Sequence, residues 1–330
     1  MRLRSALAAM SAVGVLAFAL AVPAAGLTLT PAGVADGFTL NNFLSGGSGY
    51  TFLGAANLPD GTLAVGGFAG QQIFKFNDVN GQTLANAIVT VPFSGEIDLA
   101  TAGGQAYAAS RSLGFFQVSN NLTLTKITPN PPATPTQGIA GNPVTGNLVA
   151  TSSAGLINLN PITGNNTFIV NPPSLADGVT VSPNGSIAYV AIFGGSAVLG
   201  YDIATGALVF SASNLPGGPD GAAVIIGGAL DGDIVVNNND GTVGLLDVGT
   251  KIETIIASGG TRGDFASPDL NNGSLLLFED DSVWRLSLAG GGIGGPGPGG
   301  GPSVPEPASL VLLGIGLAAF AVVNRRHKRV

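Results

Sequence analysis

Six times along the chain a short alternating strand runs into a polar turn, at almost constant spacing. The segments IFKFNDVNGQ, FFQVSNNLT, LINLNPITGN, LGYDIATGA, GLLDVGTK and WRLSLAGG place Phe76, Val118, Leu159, Tyr201, Leu246 and Leu286 at matching positions, separated by 42, 41, 42, 45 and 40 residues. A period of this size constrains architecture more than any local propensity, because each unit is one supersecondary motif that buries its face only against its neighbours. A second series precedes the first. In LGAANLPDGTLAVGG, GEIDLATAGGQAYAAS, GIAGNPVTGNLVATS, DGVTVSPNGSIAYVAI, DGAAVIIGGALDGDIVVN and DFASPDLNNGSLLLFE, an apolar strand meets a Pro, Asn, Gly or Asp turn and then a second strand, which is the signature of a hairpin.

Units of about 42 residues with several short strands match propeller blades of four antiparallel strands. The fourth unit divides into an inner strand near Gly178 to Val181, a second near Ser186 to Ile192, a third near Ala197 to Asp202 and an outer one near Ala207 to Ser211. A helical solenoid would need an apolar period of 3.6, which is absent, and a β-helix repeats at about half this length. The sixth unit lacks an outer strand, whereas DGFTLNNFLS, Asp36 to Ser45, is strand-like and has no unit of its own. The expected fold is therefore an all-β, six-bladed β-propeller over 27–288, closed by that N-terminal outer strand, which removes an exposed sheet edge. Ala289 to Ser303 is almost wholly Gly and Pro and is expected to be a tether.

Several function classes are excluded by composition. The chain has no Cys, and its one His, His327, lies in the C-terminal tail, so disulfides, thiolate metal sites and a His general base are all excluded from the folded body. Between Leu27 and Val304 there are 18 acidic and 6 basic residues, a balance of 6 − 18 = −12. Such a body repels phosphate backbones, so no nucleic acid partner is expected, and it attracts cations.

The two ends carry the positive charge. MRLRSALAAMSAVGVLAFALAVPAAG has two arginines, an apolar run from Ala6 to Val22 and small residues at Ala24 to Gly26, the layout of a secretory signal over 1–26. At the other end Val304, Pro305, Glu306 and Pro307 precede an apolar run, 308–323, and then Arg325, Arg326, Lys328 and Arg329. As a single transmembrane helix the run would be about 24 Å long, with the basic cluster on the cytoplasmic side. This stretch, 304–330, closely resembles a PEP-CTERM sorting signal. The resemblance implies a Gram-negative bacterium, passage through the secretion machinery and the inner membrane, and recognition by an exosortase that cleaves near the Pro-Glu-Pro. The protein would then reach the cell surface or the medium. It also implies an association with exopolysaccharide and biofilm.

Chemistry, if present, belongs on the propeller axis. Alignment of the units brings Glu96, Gln137, Asp177, Asp220 and Asp264 to the start of the inner strand, where carboxylates from several blades face one channel. Two readings stay open: turn residues reproduced by the repeat, or a hard cation such as Ca²⁺ held by Asp177, Asp220, Glu96 and Asp264. The fourth and fifth units resemble the gluconolactonase and senescence-marker propellers and their NHL and YVTN relatives. That resemblance implies a metal ligand at Asp220, in its Pro-Asp-Gly motif, and puts Asp177 where the family has Asn. Gln137 replaces a second Asn, and SGYTFLGAAN lacks the first-blade Glu. DVNG at Asp78 to Gly81 and NNNDG at Asn237 to Gly241 resemble calcium-loop turns without the full ligand spacing. Lys75, Lys126 and Lys251 are expected to be solvated. The same is expected of Arg111, Arg262 and Arg285, unless one near the channel pairs with an axial carboxylate. The leading expectation is a non-enzymatic binding propeller for a matrix polysaccharide or surface protein, with no catalytic residues assigned. The alternative is a Ca²⁺-dependent lactonase-like hydrolase, its water activated by the metal and Asp177 or Asp220 as base.

Overall fold

The computed structural model describes residues 26–46, 50–68, 70–173, 176–290 and 292–296. Within them six antiparallel sheets are arranged around one axis. Blade 1 consists of Phe52–Asn57, Leu63–Gly67, Gln72–Phe76 and Val89–Pro92, and blade 2 of Glu96–Ala102, Gln105–Ser110, Gly114–Val118 and Leu124–Ile127. Blade 3 is Pro135–Gly141, Leu148–Ser152, Gly155–Leu159 and Asn166–Val170; blade 4 is Ala176–Val181, Ile187–Ile192, Ala197–Asp202 and Leu208–Ser213. Blade 5 is Pro219–Val224, Ile234–Asn238, Val243–Leu246 and Glu253–Ser258. Blade 6 takes Gly263–Asp269, Ser274–Glu279 and Ser282–Leu288 from the C-terminal end of the ring and Phe38–Ser45 from its N-terminal end. Phe38 pairs with Leu288 and Ser45 with Ser282, so the N-terminal strand closes the ring as the unit count requires.

The repeat works because each blade buries both faces. Six hydrophobic clusters fill the six gaps between neighbouring blades, as where Ile139, Ala150 and Ile157 of blade 3 meet Ala109 and Phe115 of blade 2. Side chains also lock neighbours to one another. Ala55 N donates to Ser267 Oγ (3.0 Å), Asn57 N to Thr101 Oγ1 (2.7 Å), Ile139 N to Asp98 Oδ2 (2.9 Å) and Val224 N to Thr180 Oγ1 (3.0 Å). Every inner strand breaks register with its partner at the same level, for example between Ala176 and Val179 in blade 4 and between Pro219 and Gly221 in blade 5. Such bulges bend the strand and turn its first residues toward the axis, and that positions the site.

Several features lie outside the sequence expectation. Thr28–Leu29 adds an edge strand to blade 5, and Gln82–Thr83 pairs in parallel with Leu44 and Ser45 on blade 6. Part of the expected tether is folded: Ala289 N donates to Gly37 O (2.9 Å), Ile226 N to Ile293 O (2.6 Å), and Ile293 is buried between blades 5 and 6. One apolar side chain anchors a stretch whose Gly-Pro composition suggested a free chain from Ala289. Apart from Gly26, the secretory signal lies outside the described residues. So do the helix expected over 308–323 and the sorting residues Val304, Pro305, Glu306, Pro307, Arg325, Arg326, Lys328 and Arg329. Among the described residues no helix is long and apolar enough to cross a membrane.

Candidate functional site

The ends of the ring are chemically different. Where the inner strands begin, here called the upper face, Asp177, Asp220 and Asp264 are each the second residue of the inner strand of blades 4, 5 and 6, and all three are buried. Asp177 and Asp264 line a cup of about 230 Å³ that also receives Gln137, Arg111, Arg262 and Phe265, and Asp220 is joined to it through Arg262. Glu96 opens the inner strand of blade 2, and its side chain lies outside the described part of the structure. The expected axial cluster is thus real for blades 4 to 6, and Gln137 of blade 3 joins it by donating from Nε2 to Asp177 Oδ2 (3.4 Å).

Two arginines complete the cup, and neither is a free surface charge. Arg262, in the connection from blade 5 to blade 6, donates from Nη2 to Asp220 Oδ2 (2.7 Å) and Asp264 Oδ1 (3.1 Å), and from Nε to Asn239 Oδ1 (2.7 Å). Arg111, in the turn between the second and third strands of blade 2, donates from Nε to Thr136 O (2.7 Å) and from Nη2 to Gln137 Oε1. Phe68 and Phe193, 44% and 45% exposed, stand on the rim in the corresponding turns of blades 1 and 4. A signal for these aromatics exists in the sequence: FAG and FGG place an apolar ring in turns that the repeat otherwise fills with polar residues.

Burial dominates the electrostatics of the cup. It pushes the Asp177 carboxyl up to about 8, reinforced by the charges of Asp220 and Asp264 and opposed by Arg262. Burial also pushes Asp264 up to about 7, opposed by Arg262 and reinforced by Asp220. Asp177 and Asp264 therefore hold their protons toward neutral pH, and the Arg262 guanidinium opposes that rise.

Among the described side chains, the carboxylates of the cup are not arranged as a cation site. Asp220 Oδ1 and Asp264 Oδ2 are buried without partners, which is the kind of oxygen a cation takes. The opposing oxygens of both groups, however, are engaged by Arg262, and among the described residues no three carboxylates or histidines are grouped to hold a metal.

The other singled-out residues are structural. Asp78 of DVNG accepts from Arg285 Nη2, which also donates to the fully buried Asp269 (2.8 Å) over the ring of Phe43. Asn237 of NNNDG donates to Phe265 O (3.1 Å) and Phe278 O (2.8 Å). Lys75 is not solvated: it lies buried on the third strand of blade 1, with Nζ 2.6 Å from both Asp60 Oδ2 and Asn120 O. Lys126 and Lys251 are exposed, as expected.

A six-bladed propeller with a polar axial cup is the class that fold and site define. Its solved likenesses include a gluconolactonase of Xanthomonas campestris, 13% identical with a TM-score of 0.59 over 80% of this chain and 95% of that one. They also include the calcium-binding protein regucalcin of Agrobacterium tumefaciens, 14% identical with a TM-score of 0.55 over 78% and 98%. At this identity the likeness is one of fold. No curated protein matches the chain. Residues 303–326 match the PEP-CTERM protein-sorting motif. The motif implies exosortase recognition, export and transient anchoring in the membrane by a C-terminal segment.

Proposed function

We propose that the protein is an exported, exosortase-sorted binding propeller that holds a saccharide of the extracellular matrix in its upper cup and does not turn it over. The observation that carries this reading is the engagement of Asp220 and Asp264 by Arg262, which compensates the axial carboxylates with an internal cation. A cup of about 230 Å³ with two exposed phenylalanines on its rim and guanidinium, amide and carboxyl groups below them suits a sugar ring, whose apolar face stacks while its hydroxyls find donors and acceptors. Export to the cell surface, where exopolysaccharide accumulates, supplies such ligands. Calorimetric titration with neutral and uronic-acid oligosaccharides tests it. Binding that falls at least tenfold in Phe193→Ala and Arg111→Ala, with the sugar recovered intact, is expected; failure of every saccharide to bind would overturn it.

A second reading, a Ca²⁺-dependent lactonase-like hydrolase, draws on the gluconolactonase and regucalcin likenesses and on the two orphaned oxygens of Asp220 and Asp264. It requires Arg262 to leave these carboxylates. Calcium that binds stoichiometrically to the unaltered protein and is lost in Asp220→Asn would favour it over the first.

A further inference from the structure

The axis holds a second cavity. Below the cup, at the level of the inner-strand bulges, the ring of Phe265 crosses from blade 6 toward blade 3, which stands opposite. A Cβ placed on Gly138 would lie 2.5 Å from Asp177 O and 3.2 Å from Phe265 Cε1, so a glycine there admits the inner strand of blade 4 first and leaves the ring close beside it. Phe265 lines the cup above and the lower cavity beneath, and forms the partition between them. The lower cavity has a volume of about 600 Å³, within the range of sites that enclose a small ligand. Its wall is mainly apolar, with Ile139, Val179, Val181, Val224, Ile226 and Phe265, though Asn57, Asp98, Thr101, Thr180 and Ser267 also line it, and it opens on the lower face, where the inner strands end.

Its buried polar side chains already have partners within the protein, although the Ser267 and Thr180 hydroxyls, which accept, keep a proton to donate. Asp98 accepts from Leu99 N (2.8 Å) and Ile139 N (2.9 Å), Ser267 from Ala55 N, and Thr180 from Val224 N. Asn57 donates to Asp269 Oδ1 (2.8 Å) and accepts from Leu270 N (3.0 Å). Among the described residues, none of the buried side-chain atoms left without a partner belongs to this wall. An occupant therefore gains mainly contact with hydrocarbon.

The chain leaves the propeller at this same mouth. Gly294 and Pro296 form part of its rim, and eight residues lie between Pro296 and Pro305 of the sorting motif, a span of at most about 30 Å of extended chain. Val144, Ile162 and Ile252, all well exposed, are at the tips of loops on this face. While the C-terminal segment is anchored, the lower mouth is thus held within a short reach of the bilayer.

We propose that the lower cavity is a binding site for a lipid acyl chain, entered from the membrane side and closed above by Phe265. It is independent of what the upper cup binds. The full chain, reconstituted in vesicles of phosphatidylethanolamine and phosphatidylglycerol with a trace of diazirine-acyl phosphatidylethanolamine, tests this by photolabelling and peptide mass spectrometry. Label on the peptides containing Ile139 and Val179 is expected, reduced at least tenfold in Val179→Phe, with label on residues 308–323 unchanged as the measure of insertion. Should Val179→Phe fail to fold, Ala140→Leu narrows the same cavity more gently. Label confined to 308–323 and the loop tips would overturn the proposal, as would cavity label that persists in the filled variant. Cavity label that appears only after deletion of residues 297–303 assigns the space to the tether, and also overturns it.

Discussion

Arg262 and Asp220 are 42 residues apart in sequence and 2.7 Å apart in space, one repeat length brought to a single ion pair. The same guanidinium nitrogen reaches Asp264, so one side chain joins blades 5 and 6 and compensates two buried carboxylates. Arg262→Ala leaves both without a cation. Because the arginine is itself 44% exposed, the expected loss is about 1–3 kcal/mol, below that of a fully buried pair. Urea unfolding measures it. The variant is also the one in which calcium should bind more tightly than in the parent, since the opposing oxygens of Asp220 and Asp264 become free; unchanged calcium affinity would show that Arg262 is not what keeps a cation out.

The raised carboxyls fix the direction of the pH dependence. Asp177 and Asp264 hold their protons in the fold up to about 8 and about 7, whereas unfolded aspartates release them near 3.8. Between these limits the native state binds more protons than the unfolded chain, so stability falls as pH rises from about 4 to about 8. The melting temperature should follow that slope. Asp177→Asn, which cannot ionise, should flatten it and melt higher than the parent at pH 8. An unchanged slope would mean that Asp177 is already ionised at pH 5.

A second arginine, this one buried, ties the two ends of the ring together. Arg285 joins Asp269 of blade 6 to Asp78 in the connection within blade 1, and Asp269 is fully buried. Arg285→Met strands both carboxylates and should cost about 3–5 kcal/mol in denaturant unfolding. Arg285→Lys, with no planar fork to serve Asp78, Asp269 and Asn80 together, should recover only part of it. A loss below about 1 kcal/mol in Arg285→Met would place the clasp elsewhere.

These pairings show what the sequence could and could not reveal. The blades were legible because alternating strands and Pro, Asn or Gly turns recur with the repeat; the fourth blade's strands begin and end within about two residues of where the pattern puts them. Closure was legible because Asp36 to Ser45 had no unit while the sixth unit lacked a strand. The axial aspartates were legible because a repeat carries equivalent residues to equivalent places. Pairings between blades were not, because their geometry depends on how neighbouring sheets pack. Nothing local to Arg262, Arg285 or Lys75 distinguishes an ion-pair partner of Asp220, Asp269 or Asp60 from a free, solvated charge. Phe265 stands out only once Gly138 is known to face it across the axis.

The folded part of the tether gives the last prediction. Ile293 is 3% exposed in the core between blades 5 and 6, and it and Gly294 are held by the backbone: Ile293 O accepts from Ile226 N, and Gly294 N donates to Gly273 O (3.2 Å). Gly294 allows this close approach, since a Cβ there would lie 2.6 Å from Ser274 O. The chain should therefore resist a broad-specificity protease up to Pro296, although composition alone marks it as cleavable from Ala289. Ile293→Ala removes the anchor, at a cost of about 2 kcal/mol, and should move the first cut back toward Leu288. Trp284, the only tryptophan, packs against the same core and should report the change by fluorescence. Cleavage of the parent protein between Ala289 and Ile293 at the rate seen in the variant would show that these residues are tether after all, and that the lower mouth is free of the chain that leaves it.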